Sequence, residues 1–266
     1  MSALLLAFSF LTRYPVPLGR RELVPADFGR STRYFPLAGL VVGLDLMLMR
    51  WILESLGVLS RWPLAGAALL LAYWVWACDS LHMDGMADTV DGLASRRTGE
   101  AMLEVMHDSR SGAFGVQATT VVLVLKFAFL ASLGPGFWWA LPLPLIFSRL
   151  LGALLCQSRP YGGSAGSLSA WFIEGSQPVD ASAALGWAFA GLTLVCTAAV
   201  YAGLADARHC GLALAACVAG MGLGWLQVQP PRRRLGGISG DLIGYAIEVS
   251  ELAACFLLLL AVSPAP

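Results

Sequence analysis

Seven apolar stretches, separated by short polar segments, make up most of the chain. They run from about Tyr34 to Leu56, Leu64 to Cys78, Val116 to Leu133, Phe137 to Cys156, Ser182 to Leu204, Cys210 to Leu226 and Ile243 to Val262. A membrane-spanning helix needs about 20 predominantly apolar residues. All but the second stretch come close, and the second reaches that length only if part of the polar segment after Cys78 continues it. Pro36 suits a first helical turn, where no N–H partner is needed, and Gly134-Pro135-Gly136 predicts a tight link between the third and fourth spans. The apolar run Ser2 to Leu11 is too short to cross, so residues 1–33 are expected in the interface or packed re-entrantly. With no internal repeat and no soluble-type segment, residues 1–266 read as one integral membrane domain. The fold class is all-α, a polytopic transmembrane bundle of about seven spans.

Composition agrees. The chain is 58% apolar and 13% charged, against about 25% charged in soluble domains, with a mean hydropathy of +0.71. The formal net charge of zero hides a segregation. With the N-terminus inside, the inner segments hold Arg13, Arg20, Arg21, Arg30, Arg33, Arg96, Arg97, Arg110, Arg159, Arg232, Arg233 and Arg234, and the outer loops only Arg61 and Arg208. The positive-inside bias then places the N-terminus in the cytoplasm and the C-terminus outside. The polar segments after span two, at 157–181 and at 227–242, share the inner face. The bilayer is therefore a partner, and nucleic acid is not expected. The six cysteines show no paired spacing and no disulfide framework is expected. No charged leader or cleavage site marks a signal peptide, so the N-terminal run is expected to be retained.

Four of the seventeen acids lie in Asp79-Ser80-Leu81-His82-Met83-Asp84-Gly85-Met86-Ala87-Asp88-Thr89-Val90-Asp91-Gly92. On a helix Asp84, Asp88 and Asp91 form one stripe at i, i+4 and i+7, and such a stripe repels itself. It is either a solvated acidic helix end or a cation site. Oxygen-only donors point to magnesium rather than zinc, and ionisable groups against a span are usually functional. His82 stands off the stripe, where it reaches substrate as a base, orients a carboxylate or caps the span. Glu100, Glu104 and Asp108 follow at helical spacing, interleaved with Arg96, Arg97 and Arg110. Alternating carboxylates and guanidiniums suit a metal-bridged diphosphate, although the same arginines also suit anchoring to lipid phosphates. Farther on, Gly236-Gly237-Ile238-Ser239-Gly240-Asp241 has the composition of an anion-binding nest at a helix start. Asp241 and Glu248 share one helix face with Glu251 beyond. The glutamates either pair with Arg149 or, with Asp241, face the cavity of Asp84 and Asp88.

Three motifs carry a family resemblance. His82-x-Asp84-Gly85-x-Ala87-Asp88-Thr89-x-Asp91-Gly92, followed by Met102-Leu103-Glu104-x-Met106-x-Asp108-Ser109-Arg110-x-Gly112-x-x-Gly115, resembles the signature of the cobalamin (5′-phosphate) synthases, also called adenosylcobinamide-GDP ribazoletransferases. Arg30 with Phe35-Pro36-Leu37-x-Gly39-x-x-x-Gly43 is similar to that family's N-terminal motif, and Leu235-Gly236-Gly237-x-x-Gly240-Asp241-x-x-Gly244-x-x-x-Glu248 to its C-terminal one. His107 departs from the pattern, which has Arg or Lys there. The resemblance implies a magnesium-dependent enzyme of the bacterial inner membrane with its active face in the cytoplasm. Its substrates are adenosylcobinamide-GDP and α-ribazole or α-ribazole 5′-phosphate, GMP leaves, and the product belongs to cobalamin biosynthesis. Asp84, Asp88 and His82 are then the expected catalytic residues. Asp84, Asp88 and Asp91 are the metal ligands, with Glu104 and Asp108 completing the shell or holding a second ion. Arg30, Arg96, Ser109, Arg110, Gly112, Gly236, Gly237, Gly240, Asp241 and Glu248 are expected on substrate and phosphate. A homo-oligomer is left open. Asp88-x-x-Asp91-Gly92-x-x-Ser95-Arg96 also approaches the opening of the CDP-alcohol phosphotransferase motif, whose later acids do not follow in register. A cation or corrinoid transporter is the third reading, resting on Asp45, Arg50, Lys126, Arg149, Glu248 and Glu251 inside spans.

Overall fold

The structure, a computed structural model, describes residues 2–17, 22–108, 110–134 and 136–262. Ser109, Arg20, Arg21 and Pro135 lie outside the described residues.

The described residues form helices joined by short loops, and the only strand-like pairing among them is one bridge between Tyr161 and Ile238. In order these are α1 (Ala3–Leu11), α2 (Pro25–Ser31), α3 (Phe35–Ser55), α4 (Val58–Arg61), α5 (Pro63–Ala77), α6 (Leu81–Ala94), α7 (Glu100–Met106) and α8 (Ala113–Ser132). They continue with α9 (Pro142–Leu155), α10 (Leu168–Gly175), α11 (Pro178–Tyr201), α12 (Ala207–Leu235) and α13 (Gly240–Val262). Proline opens α3, α5, α9 and α11 within the first two positions, where its missing N–H costs nothing. Six helical segments are long and apolar enough to cross a membrane, and a seventh crossing arises if the bent pair α5 and α6 is counted as one. The all-α, polytopic expectation is met.

Three boundaries differ from those the apolar pattern predicts. At α5 the helix stops at Ala77 and the chain turns by 86° into α6, so the aspartate segment continues the second apolar stretch only as a separate, sharply bent helix. Instead of ending near Leu226, α12 runs through Pro230 and Pro231 to Leu235, with Arg232, Arg233 and Arg234 in its last turn. Cations there face the negative end of the helix dipole. The polar segment 157–181 contains a helix of its own, α10.

The centre of the bundle is α9, in which Leu143, Leu145, Ile146 and Ala153 have no exposed surface. Charge is buried beside it. Lys126 of α8 meets Glu248 at 2.7 Å and Glu251 at 2.5 Å, and Arg149 of α9 pairs with Glu251. Ser148 donates to Glu251 at 3.2 Å, and Lys126 lies 4.8 Å from the Trp74 ring centre. Two cations facing two carboxylates leave no net charge in a region where an unpaired ion is expensive. The glutamates therefore join α13 to α8 and α9. Glu248, expected on substrate, is 3% exposed and held by Lys126, a cation that the Arg149 pairing had not anticipated. The six cysteines are free.

Candidate active site

The polar segments gather at one end of the bundle. Asp79 and Ser80 both adopt left-handed backbone, with φ of 51° and 57°. Side chains rarely take that conformation without compensation, and strain of this kind collects at functional sites. Arg13 supplies the compensation: its N–H donates to the Ala77 carbonyl at 3.0 Å, and its guanidinium pairs with Asp79 at 2.8 Å. The turn sets α6 at 86° to α5, against α8 and α13.

Once there, α6 is clamped on two sides. Against α13, a Cβ on Gly85 would lie 2.7 Å from the Asp241 carbonyl oxygen, so only glycine permits that crossing. Against α8, both oxygens of Asp91 accept hydrogen bonds from the N–H groups of Gly112 and Gly115, each at 2.8 Å. A helix N-terminus offers unsatisfied donors and a partial positive charge. Asp91 satisfies both at the start of α8, filling from inside the chain the position where a phosphate was expected. Gly112 is thus spent on Asp91. Each Asp91 oxygen keeps a lone pair, so the residue still adds negative charge to the stripe.

Asp88 stands between the two clamps. Burial and the charges of Asp84, Asp241 and Asp91 push its carboxyl up to about 7. Among the described residues no Lys or Arg lies within ion-pair distance of Asp84, Asp88 or Asp241. A hard divalent cation is the partner this oxygen-only set suits. Among the described residues no three such side chains stand together closely enough to hold a metal ion. Asp241 reaches Asp84 and Asp88 because the α12–α13 turn delivers the start of α13 onto Gly85. The expectation that α13's first carboxylate meets the aspartate helix is met, whereas Glu248 faces away into the buried ion pairs.

The remaining expected residues scatter. Glu104 is exposed on α7, and Asp108 is bound by Arg110 through two guanidinium contacts of 3.1 and 3.0 Å. That pairing holds Asp108 down at about 2. Neither acid is among the charges acting on Asp88. Arg110 has 87% of its side chain exposed, and Arg96 and Arg30 are also exposed. Mobile phosphate-seeking arginines at an open rim have that placement, and so do lipid anchors. At the glycine turn the N–H groups of Gly236 and Gly237 both donate to the Arg232 carbonyl, and that of Ile238 to Pro160. Three donors of the expected nest are therefore taken, two by the last turn of α12 and one by the loop at Pro160. Gly240 packs against Ser169. His107 stands near enough to influence the Asp241 carboxyl, which gives the departing position a place beside the site.

His82 is 4% exposed, with Nδ1 unpartnered. It lines two spaces: a small one with Lys126 and Glu248, and a larger cavity of about 300 Å³ with Asp84 and Asp241. Sequence reading missed most of the larger cavity, whose walls include Phe10, Phe35 and Phe172. Nothing in a short apolar N-terminal run or a polar loop signals that they meet. It also missed Arg234, which donates to the Leu93 and Arg97 carbonyls at 2.8 Å each and caps the end of α6.

Six apolar helices long enough to cross a membrane, with a carboxylate-bearing helix set at 86° to the one before it, define a multi-pass membrane protein. Residues 3–260 match the family model described as cobalamin-5-phosphate synthase, and the chain belongs to that family. Similar proteins named adenosylcobinamide-GDP ribazoletransferase occur in Desulfitobacterium hafniense, 36% identical over 95% of this chain and 94% of the relative, and in Pseudomonas aeruginosa, 36% identical over 95% and 96%. A third, from Leptothrix cholodnii, is 37% identical over 94% of this chain and 91% of its own length. These relatives are transferases, and so is this protein. No solved structure matches the chain.

Proposed function

We propose that this protein is a magnesium-dependent phosphotransferase that joins adenosylcobinamide-GDP to α-ribazole or α-ribazole 5′-phosphate and releases GMP. It works on the cytoplasmic face of a bacterial inner membrane. The observation that carries the reading is the carboxylate group of Asp84, Asp88 and Asp241, drawn from two helices and left without a cationic side chain. Family membership and the names of the relatives support the substrates. The inner-face location rests on the arginine asymmetry.

In this reading the acceptor's ribose hydroxyl attacks the phosphorus on the aminopropanol arm. The new O–P bond forms as the bond to GMP breaks, GMP takes the electron pair, and the hydroxyl proton passes to solvent. Magnesium, when bound, would neutralise phosphate oxygens and align donor and acceptor. Asp84 and Asp88 would hold it, with Asp241 beside them. Asp91 fixes the helix through α8, and Arg110 and Arg96 offer forked donors to the remaining phosphate charge. A soluble acceptor and an amphipathic donor can both reach a site at the end of the bundle.

Purified protein in lipid nanodiscs, given adenosylcobinamide-GDP, α-ribazole and magnesium, should release GMP. Release of CMP from a CDP-alcohol instead would support the other phosphotransferase reading. Absence of turnover with either donor, with the protein folded, would reject both.

A further inference from the structure

Beyond the carboxylates, the larger cavity has a chemistry of its own. Three phenylalanine rings from three elements meet there: Phe10 lies 4.3 Å from Phe172 and 6.4 Å from Phe35, and Phe35 lies 5.8 Å from Phe172, centroid to centroid. Leu168, Ile243 and Ile247 continue the apolar wall. Its polar lining comes from Asp84, Asp241 and the buried His82, and from Ser167 and Ser169, which are hydrogen-bonded to each other at 3.1 Å and to the Tyr161 hydroxyl at 2.6 and 2.9 Å. No Lys or Arg lines the space.

Away from Asp84 and Asp241 the walls offer the charged parts of either substrate no partner, since no Lys or Arg lines them. A guanine edge, rich in donors and acceptors, would leave several of them unpaired against phenyl and alkyl walls, and unpaired polar groups are costly to bury. A flat, uncharged aromatic ring suits it, since phenyl rings stack with such a face and apolar substituents gain from contact with isoleucine and leucine.

Resting on the proposed function, we infer that this cavity seats the base of the acceptor nucleoside, an uncharged, alkyl-substituted fused aromatic ring, and so sets which base is accepted. The base lies against Phe10 and Phe172, and the attached ribose emerges at Asp84 and Asp241, where its hydroxyl meets the phosphorus. α1 and α10, which bear no site motif, become the specificity elements of the enzyme.

The test uses the full protein in nanodiscs and two variants, Phe172→Ala, which removes a stacking wall, and Leu168→Trp, which fills the mouth from a half-exposed position. Each should raise the KM for α-ribazole by about tenfold or more while the donor KM stays within about twofold, as expected where one pocket reads one group. Equilibrium dialysis of that labelled nucleoside, with no donor present, should show the same loss of affinity. Wild-type protein should bind the adenine α-ribonucleoside at least about tenfold more weakly, because a base stacked on Phe10 and Phe172 sets its polar ring edge against phenyl and alkyl walls. If wild-type turns over but the variants raise the donor KM instead, or leave both KM values unchanged, the cavity holds something else and the inference fails while the proposed function stands. If folded wild-type protein releases no GMP from its donor, it is the proposed function that fails. Dialysis then still decides the cavity: equal binding of the two nucleosides, or none, overturns the inference.

Discussion

Asp91 and Gly115 stand 24 residues apart in the chain, yet the Gly115 N–H donates to the Asp91 carboxylate at 2.8 Å, and Gly112 makes the same contact to the other oxygen. A Cβ on Gly115 would lie 2.4 Å from one Asp91 oxygen and 2.8 Å from the Ala87 carbonyl. The acidic helix is therefore docked onto a helix N-terminus, with glycine at both points of approach. Magnitudes follow for each part of this assembly.

Gly115→Ala should lower stability by about 1–3 kcal/mol, the range for a backbone clash that the neighbours must absorb. It should also reduce activity, because Asp88 rides on the same helix. Denaturation in detergent with parallel activity assays checks both, and an unchanged midpoint would remove the docking role from Asp91.

Asp88→Asn should abolish turnover, by about a hundredfold or more, if the carboxylate clamps the cation. Metal-free, the variant should nonetheless be more stable than wild type at pH 8. The Asp88 carboxyl is raised to about 7 in the folded protein, from about 3.9 in an unfolded chain. Between those values the folded state holds the extra proton, so stability falls as pH rises through that window. The advantage of Asn should narrow steadily as pH drops toward 4. Melting curves across pH without magnesium test the sign.

Magnesium binding should show the same proton. A carboxylate must be deprotonated to bind a cation, so apparent affinity should increase from pH 6 to pH 8 and level off above. Titration calorimetry in buffers of differing ionisation enthalpy should detect proton release near pH 7. Affinity flat across that range would detach Asp88 from the metal.

Lys126→Ala should destabilise the protein by about 3–5 kcal/mol, because it leaves two buried carboxylates with one cation. Lys126→Met combined with Glu248→Gln removes one charge of each sign and should recover a good part of that loss. The comparison, made by denaturant titration in micelles, would fail if the double variant were no better than the single.

Arg110→Lys should leave the melting midpoint unchanged, since the side chain is almost fully exposed, and raise the KM for the nucleotide donor several-fold. Lysine cannot reproduce a bidentate grip on phosphate. Identical donor kinetics would reduce Arg110 to a partner for Asp108 and a lipid anchor.

Much of this molecule was readable from residue order because its determinants are local. Apolar stretches long enough to cross a bilayer must be helices, since lipid offers the backbone no other partner. Asp84, Asp88 and Asp91 share a face through helical period alone, and the motifs sufficed to suggest the family. What the order of residues could not decide is which distant groups share a space. At the 86° turn after Ala77, Arg13 meets Asp79, a contact across 66 positions. Whether Gly112 binds a phosphate or Asp91, and whether Glu248 meets substrate or Lys126, depends on helix rotations set by packing. So does the meeting of Phe10, Phe35 and Phe172, which lie on three elements separated by most of the chain. Periodicity fixes the face a residue occupies on its own helix, and only the packed bundle determines what that face meets.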